Sequence, residues 1–141
     1  MDFTGVNWLA VLVAAIAAFA FGAAWYMSLS KPWMKASRID PLKGERSIVP
    51  FVVSFIGLLI MAYVLHVLMG AIAFSGMTVT MGLVTGFIVW LGFMATTMAV
   101  NHRYEGFGWD LTLIDGAHWL GVALIMGAII GWWGADSAPV E

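Results

Sequence analysis

The chain of 141 residues contains no cysteine and few charged residues. Without cysteine it has no disulfide, no thiolate metal ligand and no thiol nucleophile. Charged residues make up only 10% of the sequence, whereas a typical soluble domain has about 25%. The formal net charge of −2 gives no electrostatic basis for binding nucleic acid, so we expect no nucleic-acid partner.

Sequence motifs of common enzymes and cofactor sites are also missing. The chain has no HExxH pair, P-loop, nucleophile elbow or dinucleotide fingerprint. We therefore expect no enzyme activity, no cofactor and no metal. The first residues, MDFTGVN, lack the basic residues of a secretory signal, and no lipidation motif is present.

Long apolar runs dominate what is there. Hydrophobic residues make up 62% of the chain, and four runs reach the roughly 20 residues that span a bilayer as a helix. None of them shows the period-two alternation of barrel strands. The sequence predicts an all-α integral membrane four-helix bundle, built as two helical hairpins in a single domain over 1–141. The predicted spans cover residues 7–27, 49–73, 78–100 and 111–133.

All six basic residues fall in two of the connections between these spans. Because basic loops remain in the cytoplasm, the loops 28–48 and 101–110 are predicted on the cytoplasmic side and both termini on the outer side. Within the first of these loops, Ser30 and Pro32 predict a short surface helix capped by Ser30. The basic residues are Lys31, Lys35, Arg38, Lys43, Arg46 and Arg103.

Small residues recur every four positions in three of the predicted spans. This spacing places each set on one helix face, and in lipid such faces let helices approach closely. The stripes fit packing inside one bundle, and they also fit contact with another subunit. They comprise Ala14, Ala18 and Gly22 in the first span, Gly82 and Gly86 in the third, and Gly127 and Gly131 in the fourth.

Asp115 and His118 lie one helical turn apart near the start of the fourth span. The helical rise places them about 6 and 10 Å inside the cytoplasmic end. Ionisable groups inside an apolar span need partners. The sequence predicts a polar inner-leaflet layer that is either a structural network or a site for a proton or polar ligand. Its other members, at similar depth, are Tyr26, Ser54, Thr96 and Thr97.

The other two histidines are predicted to have structural or solvent roles. His66 lies in the outer half of the second span, where a lone histidine is expected to be a hydrogen-bonded packing residue. His102 lies in the second cytoplasmic loop and is expected to be solvated.

Several segments resemble the domain-of-unknown-function 1761 family of small bacterial four-helix membrane proteins. The resemblance rests on Asn7-Trp8, Gly22, Trp25-Tyr26, Trp33, the Asn101–Trp109 loop and Met126-Gly127. It implies a multi-pass location in the bacterial inner, cytoplasmic membrane, and it implies no activity. The family often has Tyr or Phe near the position of His118, and Asp115 is not part of its pattern.

Two functions are consistent with these patterns. The first is a structural or accessory subunit, embedded in the lipid bilayer, that forms a homo-oligomer or packs against a larger membrane complex. The alternative is a small oligomeric transporter or channel that uses Tyr26, Asp115 and His118. Transporters often contain helices that are broken inside the membrane. No span here has an interior proline that would break its helix, so we prefer the first function.

Overall fold

The structure, a computed structural model, describes residues 5–40, 47–73 and 76–134. The described part is helical and contains no strand, which confirms the all-α part of the predicted fold class. Four segments are long and apolar enough to cross a membrane, as predicted. Two basic residues of the first predicted cytoplasmic loop, Lys43 and Arg46, lie outside the described residues. The ends of both termini also lie outside them.

The helices are numbered in chain order. A π-helical segment, Trp90–Ala95, continues α4 into α5, so that α4, this segment and α5 together form the third span, Val79–Tyr104. The helices are α1 (Trp8–Ser28), α2 (Ser30–Ser37), α3 (Val49–Ile72), α4 (Val79–Val89), α5 (Thr96–Tyr104) and α6 (Trp109–Gly134).

Local chemistry explains where several of these helices begin. The side chains of Asn7 and Thr78 each accept a hydrogen bond from a first-turn N–H, at 3.0 and 3.2 Å, and so cap α1 and α4. Pro50 lies in the first turn of α3, where its missing N–H is not needed. The predicted surface helix is present as α2. Its cap residue is Leu29, so the predicted capping role of Ser30 is wrong.

The third span is longer than predicted and is not a regular α-helix throughout. The apolar run ends at Val100, but the helix continues to Tyr104 and leaves only a short turn over 105–108. A bond from the Phe107 N–H to the His102 carbonyl (2.8 Å) closes that helix end, and Gly106 adopts a φ of 76°. The predicted loop 101–110 is therefore mostly helical, because backbone hydrogen bonding continues past the point where hydropathy falls.

The bundle is organised around α6. This helix packs most extensively against α4 and α1, α1 also packs along α3, and α3 touches α4 only lightly. The largest fully buried side chains, Met69, Val122, Met126 and Ile130, come from α3 and α6. The helix on which the polar pair was predicted is thus the most enclosed one in the described structure.

The small-residue stripes lie inside the bundle. Gly82 meets Gly127 and Gly86 meets Ala123 at backbone contact, so α4 and α6 approach closely along this line. Ala14 and Ala18 are completely buried. These stripes therefore lie in contacts between helices of one chain, and they are not exposed for contact with a second subunit.

The outward surfaces of the spans are apolar. Large side chains such as Ile56 and Ile60 on α3, and Ile88 and Phe93 on the third span, are exposed. Outward apolar side chains are what a lipid environment favours and water does not. The described fold is therefore compatible with a membrane protein.

Candidate functional site

Asp115 lies near the start of α6, where it binds two aromatic side chains through one carboxylate oxygen. The Tyr26 hydroxyl donates to Oδ1 of Asp115 at 2.8 Å. The Trp33 indole N–H donates to the same oxygen at 3.0 Å. Because Tyr26 lies in the last turn of α1 and Trp33 belongs to α2, one carboxylate joins three helices.

The break between α1 and α2 makes this arrangement possible. Leu29 leaves helical geometry, and the chain turns so that α2 folds back over the start of α6. Trp33 then packs edge-on against Tyr26, with ring centroids 5.2 Å apart. The indole N–H of Trp25 adds a bond to the Ile114 carbonyl at 3.2 Å. We call Tyr26, Trp33, Asp115 and His118 the Asp115 cluster.

His118 lies one turn further along α6 and is almost completely enclosed by aromatic rings. Its side chain is only 6% exposed. The imidazole stacks on Phe21 at 6.0 Å between ring centroids, and it contacts Tyr26 at 4.7 Å and Trp119 at 4.9 Å. Its Nδ1 atom is buried and has no hydrogen-bond partner among the described residues.

Gly22 on α1 provides the space for this imidazole. A Cβ at position 22 would stand 2.9 Å from Nε2 of His118, closer than real Cβ contacts occur. The stripe residue Gly22 therefore faces a polar side chain rather than another helix backbone.

The remaining predicted members of the polar layer lie elsewhere. Ser54, Thr96 and Thr97 are all exposed on the outer surface of the bundle. The Thr96 hydroxyl bonds to the Gly92 carbonyl of its own helix at 2.8 Å, as threonines in apolar helices often do. These residues were predicted to belong to the layer because they lie at a similar depth in the membrane. Depth, however, does not determine which helix face a residue occupies.

Two aromatic contributors were not predicted. Trp33 was assigned no role in the polar layer, because it lies in α2, outside the four spans in which depth was estimated. Trp90 was not included in the predicted polar layer either. Its indole N–H donates to the Gly116 carbonyl on α6 at 2.8 Å, which attaches the π-helical segment to the same helix as Asp115.

The other two histidines have hydrogen-bond partners. His66 is buried and accepts a bond from the Asn7 backbone N–H at 3.3 Å, which agrees with a packing role. His102 lies within α5, and its Nδ1 is 3.0 Å from the Thr112 hydroxyl. The expectation that His102 is solvated is wrong, because the helix extends past Val100 and brings this ring against the start of α6.

No group of three His, Asp or Glu side chains within the described residues is placed to hold a metal ion. The Asp115 cluster instead offers one carboxylate with two neutral donors and one enclosed imidazole. Chemically, such a set can tie helices together, and it can accept or release a proton at Asp115 or His118.

Four apolar spans around an internally bonded polar cluster define a small multi-span helical membrane protein. A family profile described as Protein of unknown function (DUF1761) matches residues 9–131, and the chain belongs to this family. The resemblance seen in the sequence is thereby confirmed. Neither the curated proteins nor the solved structures contain a match to the chain.

Proposed function

We propose that this protein is a multi-pass structural or accessory subunit of the bacterial inner membrane, without enzyme activity, that self-associates or packs beside a larger membrane complex. One observation carries the proposal. Asp115 is bonded to donors from α1 and α2, so its carboxylate joins three helices of the fold. Breaking such bonds inside an apolar span is expensive, which suits a network with a structural role.

The proposed orientation places both termini on the outer side and the connections 28–48 and 101–110 in the cytoplasm. The positions of the basic residues support it. Arg38, after α2, reaches the carbonyl of Gly106 in the turn before α6, so both basic connections lie at one end of the bundle. We call this end, which carries Lys31, Lys35, Arg38 and Arg103, the basic end.

Association, in this proposal, uses the outer face of α3. The small-residue stripes are occupied inside the chain and are not available to a partner. On α3, Gly57 has open space where a Cβ would stand, and its neighbours Val53, Ile56 and Ile60 are exposed. A small residue among larger apolar ones lets a second helix approach in lipid, where packing drives helix association.

Native mass spectrometry of the detergent-purified protein tests this surface. Gly57→Leu should lower the fraction of oligomer, or the recovery of a co-purifying membrane complex, because the added side chain fills the approach. Gly92→Leu on the third span, where a Cβ also meets nothing within 4 Å, is the matched control and should leave the fraction unchanged. A purely monomeric wild-type protein that co-purifies with no other membrane protein would reject the proposal.

The enclosed His118 supports a second candidate, a small oligomeric transporter or channel for protons. A buried imidazole whose Nδ1 lacks a partner among the described residues, one turn from a carboxylate, has the components of a proton site. Reconstitution in vesicles distinguishes the two functions. A pH-dependent flux that disappears in Asp115→Asn, while the protein remains folded, would favour transport, and no flux above empty vesicles favours the structural role.

A further inference from the structure

The turn over 105–108, between α5 and α6, holds two arginine side chains that come from different connections. Arg38, the residue after α2, donates from Nη2 to the Gly106 carbonyl at 2.5 Å. Arg103, near the end of α5, donates from Nη2 to the Gly108 carbonyl at 2.8 Å and to the Thr112 hydroxyl at 2.9 Å. Two guanidinium groups are thus fixed on one short turn.

Aromatic rings hold each guanidinium in place from a second side. Arg103 lies over the Trp109 ring at 4.1 Å, and Arg38 lies over the Phe107 ring at 5.1 Å. Trp109 is 61% exposed and Tyr104 is 91% exposed. Exposed Trp and Tyr at the end of an apolar span are typical of the membrane–water interface, so the arginine pair lies at headgroup level.

The positive charge of the two arginines is not neutralised by the groups that fix them. Their hydrogen bonds go to two backbone carbonyls and a hydroxyl, all uncharged acceptors. In addition, Nε of Arg103 is buried without a hydrogen-bond partner among the described residues. The nearby carboxylate of Asp110 accepts the N–H of Leu111 in the first turn of α6.

We propose that Arg38 and Arg103 bind the phosphate of an anionic phospholipid headgroup. Guanidinium groups match phosphate oxygens in a forked geometry, and stacking on aromatic rings orients the fork before binding. Basic residues at the membrane surface attract anionic lipid in any case. This site differs from a diffuse basic surface because its two guanidinium groups are held in fixed positions at the interface. The occupant is a lipid rather than a soluble phosphate, because the site adjoins the apolar outer faces of the spans.

The proposal rests on membrane insertion and not on a structural or accessory role. Lipid binding can therefore fail while association succeeds, and the reverse is also possible. Measuring bound lipid and oligomer size in the same native mass spectra separates the two outcomes.

The test is retention of phosphatidylglycerol over phosphatidylcholine by the full chain, purified from an equal mixture of the two lipids. Arg38→Gln and Arg103→Gln should each lower the retained phosphatidylglycerol about tenfold, as expected for loss of a hydrogen bond to a charged group. Lys31→Gln and Lys35→Gln remove the same charge from exposed positions of α2 and serve as matched controls. Each should change retention less than about twofold, as expected of exposed charges.

Equal losses in the lysine and arginine variants would overturn the proposal, since they would indicate diffuse attraction to the basic end. Inorganic phosphate forms the second arm. If the protein in lipid-free detergent binds inorganic phosphate through these arginines but retains no phosphatidylglycerol in excess of phosphatidylcholine, the site is a soluble-phosphate site and the lipid assignment is wrong. Arg103 also bonds to Thr112 on α6, so a loss of lipid in its variant is counted only if its unfolding temperature is unchanged. Arg38→Gln with an unchanged unfolding temperature provides the independent measurement.

Discussion

Gly82 on α4 and Gly127 on α6 face each other so closely that a Cβ on either residue would overlap the backbone carbonyl of the other. Neither residue leaves room for any side chain. Such an approach lets two helices gain dispersion contacts along their backbones, which is the principal attraction between helices in lipid. The contact fixes the first part of α4 against the central helix.

Gly127→Ala should therefore destabilise the protein by about 1–3 kcal/mol, because the added methyl group forces the two helices apart. Gly116→Ala is the matched control on the same helix, since a Cβ there meets nothing within 4 Å. Reversible unfolding in mixed micelles measures both. Equal stability of the two variants would show that the backbones of α4 and α6 are not in contact at this point.

Gly22→Ala should also destabilise the protein, but through His118 alone. The new Cβ would displace an imidazole that Phe21, Tyr26 and Trp119 enclose. In a His118→Ala background, Gly22→Ala should have little effect, which gives a coupling of about 1 kcal/mol or more in a double-mutant cycle. Additive effects of the two changes would mean that position 22 does not contact the imidazole.

The sequence was sufficient to predict four helices long and apolar enough to span a membrane. Apolar length identifies a membrane helix because every backbone group must be satisfied within the segment. The four-residue spacing of Gly82 and Gly86 identifies their common face. Whether that face meets the same chain or another cannot be predicted from spacing, and the structure places it against α6.

The Asp115 cluster was only partly predictable. Tyr26, Asp115 and His118 come together as depth suggested, whereas Thr97 at similar depth faces outward. Rotation of one helix relative to another depends on tertiary packing, which hydropathy does not contain. Trp33 reaches Asp115 only because the chain turns at Leu29, and the π-helical segment at Trp90 has no sequence signature that hydropathy detects.

The proposed orientation predicts which side of the membrane each end occupies. The chain has no cysteine, so single-cysteine variants can be labelled without background. In intact cells an impermeant maleimide should label Ser137→Cys and should not label Ser37→Cys until the membrane is permeabilised. Labelling of Ser37→Cys from outside the intact cell would show that the protein has the opposite orientation.

Hydrogen exchange in α2 tests most directly the claim that Asp115 ties three helices together. Asp115→Leu leaves the Tyr26 hydroxyl and the Trp33 N–H without their acceptor, at a cost of about 1–3 kcal/mol each. Asp115→Asn keeps a carbonyl oxygen that accepts both bonds. The amides of α2 should therefore exchange at least about tenfold faster in Asp115→Leu than in wild type. In Asp115→Asn they should remain protected. Equal protection of α2 in wild type and Asp115→Leu would contradict the structural role of the cluster.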